Sequence, residues 1–192
     1  MDFDVYHALT IRRSIRRFQQ KSVSFDLLKR CVEAARLAPS AANLQPLEFI
    51  IVTDECLCKG VFAALHWAAY IKPTWAPSAD ERPMAYIIIL VHDKASPWYI
   101  RDASFAAGNI VHVAESAGLG SCILCKIDKE HIRKLFSISS EMVIDSVIAL
   151  GYKAEQPVVE DLTESVEYYR DDSQVLHVPK RKLEDILHTN SY

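Results

Sequence analysis

Two stretches of this chain carry residue types that could do chemistry. The first is Arg12-Arg13-Ser14-Ile15-Arg16-Arg17, four guanidinium groups around one hydroxyl. A phosphate monoester carries about -1.5 to -2 charges near neutral pH. The arginine fork matches its oxygens, and Ser14 adds a further donor. Arg12, Ser14 and Arg16 alternate, so an extended backbone would put them on one side. A solvated helix end followed by a basic turn would have the same composition. The second stretch is Pro39-Ser40-Ala41-Ala42-Asn43-Leu44-Gln45-Pro46. Its side-chain amides both donate and accept, which suits the edge of a polar planar ring. A hydrogen-bonded clasp closing a helix would use the same residues. Together the two stretches point to a phosphorylated, ring-bearing cofactor.

Other groups point less far. Gly118-Leu119-Gly120-Ser121-Cys122 reads as a glycine-rich loop after a helix, without the glycine spacing of a dinucleotide fingerprint. Cys122 and Cys125 have the spacing of a redox pair or half a zinc site, with Cys56 and Cys58 as a conceivable other half. Ile123 and Leu124 fill the gap where turn formers would be expected, so buried strand cysteines are the alternative. The seven histidines are scattered, and there is no GxSxG elbow or P-loop.

These groups need elements to hold them. The pattern predicts a short amphipathic helix over 3–12 leading into the basic block, and a helix over 25–38 capped by Ser24 and ended by Pro39. Residues 49–52 and 85–91 read as buried strands, the second too continuously apolar to face water on either side. Helices are predicted over 55–68, 99–117 and 129–136, the last capped by Asp128, and a loop over 70–83. The helix over 99–117 is rich in small residues and is stopped by Gly118 in a left-handed conformation. A strand over 143–150 is closed by Gly151. Residues 155–173 carry seven acidic side chains and little core. A short strand, the basic triplet 180–182 and a short helix follow. This tail reads as an arm that packs on something, such as a second subunit.

Composition sets the bounds. The 192 residues, 50% hydrophobic, fit one domain with a full core. The net charge of -3 gives no global basic field for nucleic acid. No apolar run is long enough for a membrane span, and Met1-Asp2-Phe3-Asp4-Val5 lacks a signal-peptide pattern, so cytoplasm is expected. Five cysteines without such a signal argue against a disulfide framework.

In this order and spacing the blocks resemble the nitroreductase-like family of FMN-dependent oxidoreductases, from about residue 5 to 152. Arg12-Arg13-Ser14-Ile15-Arg16 is similar to the family's phosphate motif. Ala34 through Pro46 is similar to its ring-binding turn, and Gly118–Cys122 to the loop before the strand beside the flavin. Val178-Pro179-Lys180-Arg181 resembles the basic patch some members bring to the phosphate.

The resemblance implies a single α+β domain, a mainly antiparallel sheet flanked by helices, with 155–192 as a C-terminal arm, assembled as a homodimer with FMN at the interface. It implies that Arg12, Ser14 and Arg16 hold the phosphate, ribityl chain and pyrimidine edge, with Arg13 a weaker candidate. Ser40, Asn43 and Gln45 would reach the ring, Leu124 or Cys125 would offer a backbone N–H near flavin N5, and Lys180 and Arg181 would complete the phosphate site. Tyr70 and Trp75 would line the substrate pocket. No metal and no catalytic side chain is required, because the flavin carries the chemistry. The implied activity is NAD(P)H-dependent reduction of nitroaromatics, quinones or similar acceptors by a ping-pong mechanism. Flavin fragmentation, reductive dehalogenation and a non-catalytic flavin sensor are the alternatives, with a cysteine-based metal protein as a further one.

Overall fold

The computed structural model describes residues 5–71, 75–92 and 97–192. Phe3, Asp4 and the rest of the first four residues, and Lys72-Pro73-Thr74 of the expected loop, lie outside it. The first helix is α1 (Val5–Ile11) and the second α2 (Phe25–Arg36). Ser24 occupies the position before α2, but its side chain makes no capping bond. Strand β1 (Leu47–Val52) and helix α3 (Glu55–Ala63) follow. Helix α3 stops five residues short of the expected end. The chain there turns to meet another segment: His66 N–H bonds Lys126 O (3.2 Å), and Leu65 bridges Ile127.

Next come β2 (Ala85–His92), α4 (Tyr99–Ser116), β3 (Leu119–Leu124), α5 (Lys129–Phe136) and β4 (Met142–Tyr152). The Asp128 side chain caps α5 by accepting from His131 N–H at 3.0 Å. Gly118 ends α4 with a φ of 77°, open to glycine without strain. Gly151 does not close β4, which runs through it to Tyr152.

The four strands form one sheet in the order β1-β2-β4-β3, every neighbouring pair antiparallel. Strand β2 is central, and its residues from Ala85 to Val91 are all buried. Alternation sends Ala85, Ile87 and Ile89 to one face with α2 and α4, and Tyr86, Ile88 and Leu90 to the other with Val61 of α3 and Ile132 of α5. The sheet therefore lies between two helical layers, an α+β arrangement. The small residues Ala103, Ala106, Ala107 and Ala114 of α4 are all buried in this packing.

Residues Gly118–Cys122 form no loop. From Leu119 onward they are strand β3. Gly120 is required there for a steric reason: a Cβ on it would lie 2.8 Å from the side chain of Ile15. A Cβ on Gly151 would lie 2.9 Å from Phe18. The two glycines let the basic block lie flat across the β3–β4 edge, with Ile15 and Phe18 buried beneath it.

The tail builds a second small sheet. Strand β7 (Leu176–Lys180) lies between β5 (Val158–Asp161), parallel to it, and β6 (Tyr169–Arg170), antiparallel to it. The acidic stretch thus contributes strands as well as loop. The expected terminal helix is one 3-10 turn, Leu183–Asp185. Leu183, Ile186 and Leu187 are exposed. With no face to bury, so short a segment does not propagate as an α-helix.

Candidate functional site

The basic block crosses the free edge of β3. Ile15 N–H donates to Ser121 O at 2.9 Å, and Ser14 bridges Ser121. Neighbouring arginines take different environments. The Arg13 guanidinium turns back on the end of α1, donating to Thr10 O (2.8 Å) and to Arg12 O. Burial lowers its pKa, with Arg12 adding to the effect. Arg16 lies 4.5 Å from the ring centroid of Tyr168. Arg17 pairs with Glu81 (3.4 Å) and lies 5.8 Å from the Trp75 ring. Arg12 makes no side-chain hydrogen bond or ion pair with any described residue. Burial, with Glu155 adding to it, pushes the pKa of the Cys122 thiol up, while Arg16, Arg12 and Ser14 pull it down.

Glu155 fastens this block, and sequence reasoning missed it. One carboxylate oxygen accepts from Arg16 N–H (2.5 Å) and Arg17 N–H (3.1 Å), and the other from the Arg170 guanidinium (2.5 Å). Both side chains of the Glu155–Arg170 pair are nearly buried, at 7% and 5% exposure. Such a pair is costly to break. The only signal available in sequence was a lone arginine among the acids of the tail.

The Ser40 turn is the second part. Ala42, Asn43 and Gln45 all have positive φ, between 49° and 56°. Each non-glycine residue held there costs about 1–3 kcal/mol, asparagine least. What holds the turn is Asp102 of α4, only 3% exposed. It accepts from Ser40 Oγ (3.1 Å) and Ala41 N–H (3.0 Å), while Ser40 Oγ accepts from Gln45 N–H (2.9 Å). The side chains of Asn43 and Gln45 stay exposed, Gln45 Nε2 reaching Asn43 O at 3.3 Å. Sequence analysis passed over Asp102 as well. Its signal was a carboxylate in register with Ala103, Ala106 and Ile110 on the buried face of α4.

Strand β3 offers its outer edge. Across β3 and β4, Leu124 lies opposite Val147 and Ser121 opposite Leu150. Ser121 turns its carbonyl outward to Ile15, so antiparallel alternation points the backbone groups of Ile123 outward too and those of Leu124 toward β4. Of the two expected amide donors, Leu124 is thus committed to the sheet, and Cys125 lies exposed just beyond it.

The remaining candidates are dispersed. Lys180 ends β7, and Arg181 donates to Asp185 O at 2.6 Å. Neither shares a hydrogen bond or ion pair with residues 12–17 among the described residues. Tyr70 is exposed and meets Tyr168 edge-on at 5.1 Å. Trp75 is packed against the core, with Arg17 and Arg170 at its ring (5.8 and 5.1 Å). Its surroundings are those of a structural residue. All five cysteines are thiols; Cys122 is buried and Cys125 exposed. A cavity of about 1020 Å³ is lined by Arg13, Ile15 and Glu115 but by none of Arg12, Ser14 and Arg16. No helix among the described residues is long and apolar enough to cross a membrane.

Residues 9–152 match the family described as "Nitroreductase family". A protein of Methanothermobacter thermautotrophicus named "Putative NADH dehydrogenase/NAD(P)H nitroreductase" is 33% identical, over 83% of this chain and 82% of its own. The iodotyrosine deiodinase of Thermotoga neapolitana is 26% identical, over 77% of this chain and 88% of its own. Among solved structures, an NADH dehydrogenase/NAD(P)H nitroreductase homologue from Bacteroides thetaiotaomicron superposes with a TM-score of 0.72 at 25% identity, covering 100% of both chains.

Proposed function

The chain belongs to the nitroreductase family, a family of oxidoreductases, and from that premise we propose that it is an FMN-dependent NAD(P)H oxidoreductase reducing nitroaromatic, quinone or similar acceptors. The observation that carries the reading is Arg12: a half-buried guanidinium with no partner in the described chain, beside Ser14 and the open edge of β3. Those donors fit a phosphorylated cofactor, and the outward backbone of Ile123, with Cys125 exposed just beyond the strand, fits a ring edge lying along it.

FMN, when bound, supplies the hydride and electron transfer. The chain's own residues bind and orient. Arg12 and Ser14 hold the phosphate and ribityl end, with Arg16 set by Tyr168 and Glu155 at the pyrimidine side. The Ser40 turn presents Asn43 and Gln45 to the ring edge from the scaffold that Asp102 fixes. Lys180 and Arg181 do not meet the block within one chain, so their part in the phosphate site would need a second subunit. A homodimer is consistent with the exposed apolar residues Val5 and Leu9 of α1 and Ile100 and Phe105 of α4. Nicotinamide and acceptor take turns at the same open face of the ring, with Tyr70 lining the substrate side.

Reductive dehalogenation is the second reading, favoured by the deiodinase-named relatives. Cofactor release and chromatography, then anaerobic reduction of the purified protein with NADH or NADPH and reoxidation by a nitroaromatic or an iodinated phenol, test both. FMN with nicotinamide-driven nitro reduction is the expected result. FAD alone or no flavin would sink the proposal, and turnover of only the iodinated phenol would select the second reading.

A further inference from the structure

A second cavity, about 290 Å³, lies between α3 and the start of β2. Gln20, Thr53, Cys58, Phe62, Arg82 and Tyr86 are among its lining residues. It lies away from the Ser40 turn and shares none of the residues assigned to the flavin. The Ser40 turn leads into Leu47, whereas Tyr86 is paired with Val52 at the other end of β1, five residues and roughly 16 Å away at ~3.3 Å per residue.

Three features of this cavity belong together. Tyr86 is fully buried, and its hydroxyl has no hydrogen-bond partner among the described residues. An unpaired buried hydroxyl loses its hydration with nothing to replace it, and native structures rarely leave one so. Arg82 stacks its guanidinium 4.1 Å from the Phe62 ring centroid, and its Nε is likewise buried without a partner. A stacked guanidinium keeps its in-plane N–H groups available at the edge. The nearby carboxylates are engaged elsewhere: Glu55 pairs with Lys59 (2.6 Å), and Glu81 takes Ser78 Oγ (3.0 Å) and Arg17 (3.4 Å). Burial pushes the Cys58 thiol up to about 11, so it brings no competing negative charge near neutral pH. The cavity is thus lined by one cation with no ion-pair partner among the described residues and by a buried tyrosine whose hydroxyl has no hydrogen-bond partner among them, beside an apolar wall of Phe62, Pro83 and Met84.

We infer that this cavity is a binding site for a small organic monocarboxylate with an apolar body, its carboxylate held by the Arg82 guanidinium and the Tyr86 hydroxyl. One free cation matches one negative charge. The volume sits at the lower end of ligand pockets, roughly 300–1,000 Å³, which sets the body at about one ring. The inference stands apart from the flavin reading, because none of these residues belongs to that site.

The test uses the purified protein with its bound cofactor, benzoate as probe and benzyl alcohol as the neutral control. Titration calorimetry should show saturable binding of benzoate and none of the alcohol. Arg82→Gln and Tyr86→Phe should each weaken it about tenfold or more, since bonds to a charged group are lost. Tyr86→Phe removes an unpaired hydroxyl and should keep or raise the melting temperature, so it serves even where Arg82→Gln folds poorly. A crystal grown with benzoate should place its carboxylate on Arg82 and Tyr86. Absence of binding at millimolar benzoate, affinity unchanged in Tyr86→Phe, binding that shifts the flavin absorption instead, or only a water on the Tyr86 hydroxyl would each overturn the proposal.

Discussion

Asp102 Oδ2 lies 3.1 Å from Ser40 Oγ, tying the buried face of α4 to the turn that leads into β1. A carboxylate 3% exposed thereby stabilises three left-handed non-glycine residues that a local sequence preference would not choose. The turn's shape is imposed from a helix sixty residues away in sequence.

Removing that carboxylate should therefore loosen the ring-binding turn. Asp102→Ala leaves the Ser40 hydroxyl and Ala41 N–H unpaired and should cost about 1–3 kcal/mol, with FMN affinity falling as well. Asp102→Asn retains one acceptor oxygen and should be intermediate in both. Thermal denaturation and fluorescence titration of FMN into the stripped protein would check this. Glu33→Ala, which breaks only an exposed pair with Arg36, should stay within about 1 kcal/mol of wild type.

Arg12 and Arg17 should separate binding from stability. Arg12 has no hydrogen-bond or ion-pair partner to lose among the described residues, so Arg12→Ala should weaken FMN more than about tenfold with little change in melting temperature. Arg17 holds Glu81, Gln174 and the Trp75 ring. Arg17→Ala should lower the melting temperature with a smaller loss of flavin. Equal FMN affinities for the two variants would show that the block is solvated surface.

The arm should respond to pH through His177. Its ring nitrogens lie 3.0 Å from Glu160 Oε2 and 3.2 Å from Asp171 Oδ2, and it stacks on Tyr169 at 4.9 Å. The bonds to Glu160 and Asp171 raise its pKa above the ordinary 6.5. Its stabilisation of the β5–β7 sheet is complete below about pH 6.5 and is lost as pH rises through the raised folded value. Asp171, depressed mainly by Val175 N–H, acts in the opposite sense, losing its contribution as pH falls through its lowered value. Amide exchange at Leu162, which bonds Lys180 O at 2.7 Å, should therefore speed up above neutrality after correction for intrinsic rates. His177→Gln should remove that rise.

Gly120→Ala should disturb the block from below. Its Cβ would fall 2.8 Å from the Ile15 side chain, which is 1% exposed and cannot move aside freely. Overpacking of this kind costs about 1–3 kcal/mol, and flavin content should drop with it. Denaturant unfolding and the flavin-to-protein absorbance ratio would measure both.

The elements were largely legible in the sequence because they depend on local rules. The apolar run at 85–91 places β2 in the middle of the sheet, Asp128 starts α5, and Gly118 stops α4. The family, too, could be read from short motifs, since Arg12 through Arg16 and Ser40 through Pro46 keep their spacing along the chain. The chain alone left open which residues in those motifs are spent internally. Arg13 and Arg12 are adjacent and alike in type. Only packing turns one guanidinium back onto α1 and leaves the other without a partner among the described residues. Gly120 looked like a loop residue until Ile15 was seen above it, and Asp102, Glu155 and Arg170 act on segments far from them in sequence. A hydrogen bond or close contact between distant residues leaves no periodic trace. Its partner is fixed by which surfaces the sheet and helices bring together, and that is decided by the tertiary structure.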